Sequence, residues 1–252
     1  MAIHATVAAR SDVGKSRAAN EDYFAIRSEL GLFLVADGMG GHGNGEVASQ
    51  LAARSVCETI SALRRETWLR TSGTEKPAGV LRDAFEKANH AVFRAVDGNA
   101  ELSGMGATMV ALLLVGQSAI VAHAGDSRAY RVRAGELSQL TEDHTWVGQQ
   151  VTAGELSADE ARQHPFRNVV TRALGGEANL LVDVGAHDVR DGDIFLLCSD
   201  GLTGVVSDER IVEIVDGTGG LDGRCAALID AANEGGGPDN ITAVLVSCSE
   251  VE

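Results

Sequence analysis

The stretch Leu32–Ser49 reads LFLVADGMGGHGNGEVAS. Leu32, Phe33, Leu34 and Val35 form a short apolar run that ends on Asp37. Its length and flanking glycines predict a buried strand over Leu32–Ala36. A glycine-rich turn follows, and Glu46 opens a helix with Ala48, Ala52, Val56 and Ile60 on one stripe. An acid at the end of a buried strand, followed by glycine, is placed for ligand chemistry rather than for packing. Gly125-Asp126, Asp200-Gly201 and Pro238-Asp239-Asn240 repeat the arrangement, each beside an apolar run. Taken singly, Asp-Gly and Gly-Asp are turn dipeptides, and Asp caps helices. Taken together, four acids at strand ends can line one rim of a sheet pair. Hard oxygen ligands without His or Cys beside them suit Mg²⁺ or Mn²⁺ rather than Zn²⁺.

Outward from this stretch, Ile3–Ala9, Tyr23–Ile26, Leu180–Ala186, Ile194–Cys198 and Ile241–Ser247 read as strands. Ala107–Val115, Ser118–Ala124 and Ser127–Val132 read as three successive strands. Their connections, Gly116-Gln117 and Gly125-Asp126, are short enough for hairpins. That favours antiparallel sheet, since a parallel neighbour needs a long crossover. Helical periodicity covers Gly79–Asp97, Ser207–Val215 and Leu221–Asn233. Arg64–Pro77 reads as a loop. Thr141–Gly176 is polar with weak periodicity and reads as a surface flap, with a capping box at Ser157–Glu160 starting one short helix. Antiparallel strands with paired helices predict one α+β domain over residues 1–252.

The chain's 252 residues allow a sizeable core. Aromatics are only 4%, so Ala, Val, Leu and Ile must build that core. A formal net charge of −15 argues against nucleic acid and anionic membrane as partners. Cys57, Cys198, Cys225 and Cys248 show no paired spacing and read as buried thiols. Met1–Arg10 has no apolar signal core, and the longest apolar run, Ala107–Val115, is too short to span a bilayer. The expectation is a soluble, cytoplasmic chain, with nothing demanding more than a monomer.

Three motif matches compete with the metal reading. Gly38–Gly43 fits GxGxxG between a strand and a helix, the dinucleotide fingerprint. Asp37 would then sit beside the pyrophosphate with no offsetting cation, and the following strands read as hairpins rather than βαβ units. Gly14-Lys15-Ser16 resembles the end of a P-loop, but Ala9 stands where its first glycine is required. Cys198 fails the Cys-x5-Arg phosphatase pattern because Gly204 occupies the arginine position. A phosphate site also needs a positive fork. Arg17, in the polar turn leading to Asn20-Glu21-Asp22, is the candidate, since guanidinium matches phosphate oxygens bidentately.

Seven stretches carry a likeness. They are Gly14-x-x-Arg17-x-x-Asn20-Glu21-Asp22, Val35–His42 with Gly45-Glu46, Gly104-x-Gly106-Ala107-Thr108, His123–Arg128, Thr141–His144, Cys198–Leu202 and Gly236–Thr242. In this order and over nearly the whole chain, they make it resemble the bacterial branch of the PP2C-like (PPM) metal-dependent serine/threonine protein phosphatases. The resemblance implies a four-layer α/β/β/α sandwich, two facing antiparallel sheets flanked by helix pairs. It implies Mn²⁺ or Mg²⁺, two catalytic ions and a third. Asp37 would bridge two ions, Gly38 would offer its carbonyl, Asp200 and Asp239 would complete the first ion, and Asp126 with Asp200 would hold the third. Glu21 and Asp22 would hold metal-bound waters, Arg17 would grip the substrate phosphate, and the segment at about 141–176 would be the family's variable flap.

The implied reaction is hydrolysis of phosphoserine and phosphothreonine in proteins by direct attack of a metal-bridging water, reversing serine/threonine kinase signalling. Serine/threonine kinases and their substrates are the implied partners. Met39 stands where many eukaryotic members have a histidine proposed as the acid for the leaving alcohol. His42 reads as a turn residue, and a water on the third metal is the alternative proton source. Two other readings stay open: a catalytically silent binding module with a phosphatase-like fold, and a dinucleotide-binding oxidoreductase.

Overall fold

The computed structural model describes residues 2–41, 43–62 and 74–251. Its strands are Ala2–Asp12 (β1), Asp22–Arg27 (β2), Leu32–Met39 (β3), Gly106–Val115 (β4), Ser118–Ala124 (β5), Arg128–Arg133 (β6), Glu136–Gln139 (β7), Asp183–Asp188 (β8), Ile194–Cys198 (β9) and Ile241–Val251 (β10). Among the described residues they form two five-stranded sheets, ordered β1-β10-β9-β6-β7 and β2-β3-β4-β5-β8. Every pairing is antiparallel.

The alternation of side chains along β3 explains the layering. Phe33 and Val35 face the opposite sheet and pack with Val110, Leu112, Phe195, Leu197, Val244 and Val246. Leu32, Leu34 and Ala36 point the other way, onto the helices Asn44–Ala62 (α1) and Glu75–Asp97 (α2). Both faces are covered, so β3 reads as an unbroken apolar run. The first sheet does the same: Tyr130, Leu196 and Leu245 pack outward against Asp208–Val215 (α6) and Leu221–Glu234 (α7). The result is helix pair, sheet, sheet, helix pair. Three short helices complete the described set: Trp146–Thr152 (α3), Ala158–Gln163 (α4) and Asp200–Thr203 (α5).

Several boundaries differ from the sequence reading. β3 continues past Ala36 to Met39, because Asp37 keeps its place in the ladder opposite Asp22 and Thr108. The β4–β5 connection is a hairpin, but Gly125-Asp126 is not. There the chain leaves one sheet for the other, at a glycine with φ +113°. α2 begins at Glu75, so the end of the expected 64–77 loop is helix, and residues 63–73 lie outside those described. Leu180–Val182 precede β8 rather than belonging to it. Within 141–176, α4 starts at the Ser157–Glu160 capping box as expected, whereas α3, capped by Thr145, had no legible periodicity. Asp200, read as the acid at the end of a strand, is the first residue of α5.

Phe195 is fully buried between the two sheets. Phe195→Ala should lower unfolding free energy by about 3–5 kcal/mol, the range for deleting a buried aromatic side chain. Urea denaturation checks this, and a loss under about 1 kcal/mol would mean that the inter-sheet core is not packed as described.

Candidate metal and phosphate site

The acids singled out from sequence come together at one end of the two sheets. Asp22 and Asp37 are direct cross-strand partners on β2 and β3. Asp200 follows β9 in the facing sheet, Asp239 precedes β10, and Asp126 sits in the turn that crosses between sheets. Asp37 feels the charge of Asp22, Asp200, Asp126 and Asp239.

A web of neutral groups sets the positions of these carboxylates. Ser199 Oγ donates to Asp22 Oδ2 at 2.7 Å and accepts from the Thr242 amide at 3.0 Å, linking the two sheets. Asn240 accepts the Glu21 amide at 2.8 Å on Oδ1, while its Nδ2 donates to the carbonyls of Val13 and Ala19, both at 2.9 Å. One side chain thus pins the turn that carries Arg17, Glu21 and Asp22. Asp239 Oδ1 accepts the Asn240 amide at 2.8 Å, and Oδ2 accepts from Arg17 Nη2 at 2.7 Å. Arg17 is 53% exposed, so the rest of its fork faces solvent. Gly38 donates its amide to Glu21 O at 3.2 Å, and any Cβ there would run into the Gly45 carbonyl. Glycine at 38 is therefore a requirement of close backbone approach.

Burial pushes four of the clustered carboxyls up. Asp22 rises to about 6 and Asp126 to about 7; burial is the main cause in each, reinforced by the charge of Asp200. Asp37 rises well above the carboxylate range, from burial and then the charge of Asp22, and Asp200 also rises, from burial and then Asp239. Asp22 Oδ1 and Asp200 Oδ1 are buried with no hydrogen-bond partner among the described residues. Orphaned, mutually repelling oxygens of this kind are costly unless a cation satisfies them. An all-oxygen donor set fits a hard divalent ion.

A second cluster, His123, His144 and Asp183, brings potential ligand atoms within 4.8 Å of one another. It does not fit a cation in this arrangement. His123 Nε2 bonds to Glu142 O at 2.8 Å, His144 Nδ1 accepts from the Gly125 amide at 3.1 Å, and Arg172 Nη1 stands 3.1 Å from His144 Nε2. A guanidinium charge this close to the ring opposes a second cation there.

Sequence reasoning missed Ser199, Thr242, Asn240 and His144. All four lie in stretches that carry the family likeness but had no role assigned, since no spacing rule exposes hydrogen bonds such as those of Asn240, made across more than 200 positions. His42 lies outside the described residues. A cleft of about 630 Å³ opens beside Asp126 and Asp200, lined also by Arg128, Asp143, Arg167 and Ser207. Cys198 is not a nucleophile: burial lifts its thiol to about 12. No helix among the described residues is long and apolar enough to cross a membrane.

Two facing antiparallel sheets with acids clustered at one end define a metallophosphatase-type sandwich, and the dinucleotide reading falls because β3 has antiparallel neighbours on both sides. Residues 14–221 match the family model described as Protein phosphatase 2C. The chain belongs to that family, and its activity class is serine/threonine protein phosphatase. It is 37% identical over 247 residues to the serine/threonine phosphatase stp of Listeria monocytogenes, covering 94% of this chain and 93% of the relative. It is 39% identical over 242 residues to the serine/threonine protein phosphatase PstP of Mycobacterium tuberculosis, covering 94% of this chain and 44% of that longer relative. The crystal structure of that Mycobacterium tuberculosis phosphatase superposes with a TM-score of 0.87 at 38% identity, covering 98% of this chain and 99% of the other. A PstP catalytic domain in complex with two manganese ions gives 0.85 at 36% identity, covering 98% and 100%.

The raised carboxyls set a pH dependence in chelator. A folded-state pKa above the unfolded value means that the folded protein binds more protons, so stability falls as pH rises through the folded pKa. For Asp22 that loss runs up to about 6 and for Asp126 up to about 7, and Asp37, also raised, acts in the same sense. His123, His144 and His187, lowered chiefly by burial, act in the opposite sense below their ordinary 6.5. In EDTA the carboxyl contribution to the melting temperature should therefore be lost as pH rises through about 6 to 7, and Mn²⁺ should restore more at pH 7 than at pH 6. A flat profile in EDTA with no gain from Mn²⁺ would contradict the buried-acid cluster.

Proposed function

We propose that Asp37, Gly38, Asp200 and Asp239 hold two divalent ions, that Asp126 with Asp200 holds a third, and that Arg17 grips the substrate phosphate. The observation carrying this reading is the pair of partnerless buried oxygens, on Asp22 and Asp200, facing a cluster of acids with one arginine at its rim. Mn²⁺ or Mg²⁺ bound there would neutralise phosphate charge and lower the pKa of a coordinated water.

The chain's own residues do the rest. Arg17, with its fork partly free, binds and orients a phosphate monoester at the rim of the acid cluster. Asp22, held by Ser199, and Glu21, held through its backbone by Asn240, orient water around the acids. Attack falls to water because the site's own nucleophiles are engaged: Ser199 Oγ bonds on both sides, and Cys198 stays a buried thiol. Phosphoserine and phosphothreonine proteins are the substrates, among them serine/threonine kinases and their targets, in the cytoplasm.

Hydrolysis of p-nitrophenyl phosphate and a phosphothreonine peptide with Mn²⁺, Mg²⁺ or EDTA tests the assignment. Activity should require a metal, and Asp37→Asn and Asp239→Ala should each reduce kcat at least about 10³-fold, a loss of about 4 kcal/mol of transition-state stabilisation. Arg17→Ala should chiefly raise KM. Wild-type turnover in Asp37→Asn would remove the metal assignment, and an unchanged KM and kcat in Arg17→Ala would remove the arginine from the site.

A further inference from the structure

We propose that His144 is a positioning residue for Asp126: its Nδ1 holds the Gly125 amide and so fixes the turn that presents the Asp126 carboxylate. The inference rests on the proposed role of Asp126 as a cation ligand. Gly125 follows β5, where the chain leaves one sheet for the other, and its amide has no ladder partner. A buried amide needs an acceptor. His144 supplies it in a reciprocal pair: the Gly125 amide donates to Nδ1 at 3.1 Å, and the His144 amide donates to Gly125 O at 3.0 Å. Gly125 is also wedged against Thr108, whose side chain fills the space a Cβ would need, and its φ of +113° excludes most replacements. The direction in which Asp126 leaves this glycine is thus set by what holds the glycine.

The imidazole is itself fixed. An amide donating to Nδ1 requires a bare nitrogen there, so the ring proton sits on Nε2 and donates to Asp183 Oδ2 at 3.1 Å, while Arg172 Nη1, 3.1 Å from the same nitrogen, donates to Asp183 rather than to the ring. Arg172 Nη1 bonds Asp183 Oδ1 at 3.3 Å and holds that carboxylate in place. The His123 ring stacks on His144 with centroids 4.5 Å apart. Burial and the His123 ring push His144 down, which keeps it neutral. The Thr171 amide donates to His144 O at 2.7 Å, so the returning limb of the 141–176 segment hangs on the same residue. His144 therefore ties the root of that segment to Asp126.

The test compares wild type, His144→Asn, His144→Gln, His144→Ala and Asp126→Ala in the full chain. Asn places an acceptor oxygen near the Nδ1 position, whereas Gln reaches toward Nε2. Two measurements are made: Mn²⁺ titration of metal-free protein by calorimetry, and hydrogen exchange at the Gly125 amide by NMR in EDTA. His144→Ala and His144→Gln should weaken the ion that Asp126→Ala removes by about tenfold or more, leave the other ions unchanged, and speed Gly125 exchange. His144→Asn should restore both. Unchanged affinity and protection in His144→Ala and His144→Gln would overturn the proposal, as would a His144→Asn variant as impaired as His144→Gln. If Asp126→Ala removes no ion, the ligand reading of Asp126 fails and the inference with it. Gly125 exchange then still reports whether the His144 bond exists.

Discussion

Mutual repulsion among Asp22, Asp37, Asp126 and Asp200 is the constraint that the rest of the structure answers to. Each is pushed toward protonation mainly by burial and then by the charge of a neighbouring acid. No flexible chain would gather these groups without a cation, because desolvation and like charge both oppose it. Rigidity has to come from elsewhere, and here it comes from two sheets sealed on three apolar layers. The acids sit at the end of this sandwich, on or next to strands whose register leaves them little freedom to retreat: Asp22 and Asp37 face each other across one ladder, and Asp200 and Asp239 flank neighbouring strands of the other. The stability of the core is thus spent on holding a site that, empty of positive charge, would fly apart.

Close backbone approach is the second element of the same design. Gly38 meets Gly45 and Glu21, and Gly201 meets the Asn240 carbonyl, with no room for a Cβ at either. These contacts bring the turn after β3 and the start of α5 against the chain that carries the acids. Neutral side chains then finish the alignment. Ser199 and Asn240 add no charge to an already overcharged cluster, yet each joins segments far apart in sequence. A charged residue in either place would either add repulsion or compete with a cation for the carboxylates.

The acids at Asp37, Asp126, Asp200 and Asp239 were legible because each carries a local signature, an acid beside glycine or proline at an apolar run. The strands were legible because both faces are buried and the runs are short. What escaped was whatever depends on partners distant in the chain. The β5–β6 connection has a hairpin's length, and only the ladder shows that β6 belongs with β9. α3 is held by the Thr145 cap and by the bridge between Thr145 and Val170 rather than by an apolar stripe, so periodicity had nothing to report. Ser199, Asn240 and His144 act through hydrogen bonds whose value appears only once the sheets face each other. The roles of metal ligand and phosphate clamp came from the family likeness. The residues alone established a convergence of acids, not which atom holds which ion.

The histidines show how the fold divides rigid from adjustable parts. His123 and His144, the imidazoles described near the acids, are stacked on each other and bonded to Glu142, Gly125 and Asp183. His144 is held at both nitrogens and His123 at Nε2 and by the stack, so neither ring is free to swing and deliver a proton to a leaving alcohol. Met39, at the end of β3, has no proton to give. This supports solvent in the cleft as the proton source and assigns the imidazoles to architecture. Arg17 is the contrasting case. It is more than half exposed on a turn pinned by Asn240, and it is anchored to the cluster through Asp239 alone. An arginine so placed keeps donors pointing outward while its charge leans on the acids, which suits a group that must meet a phosphate arriving from solvent. On the proposed reading, the buried carboxylates supply a fixed field and the exposed guanidinium supplies the contact that forms and breaks with each substrate.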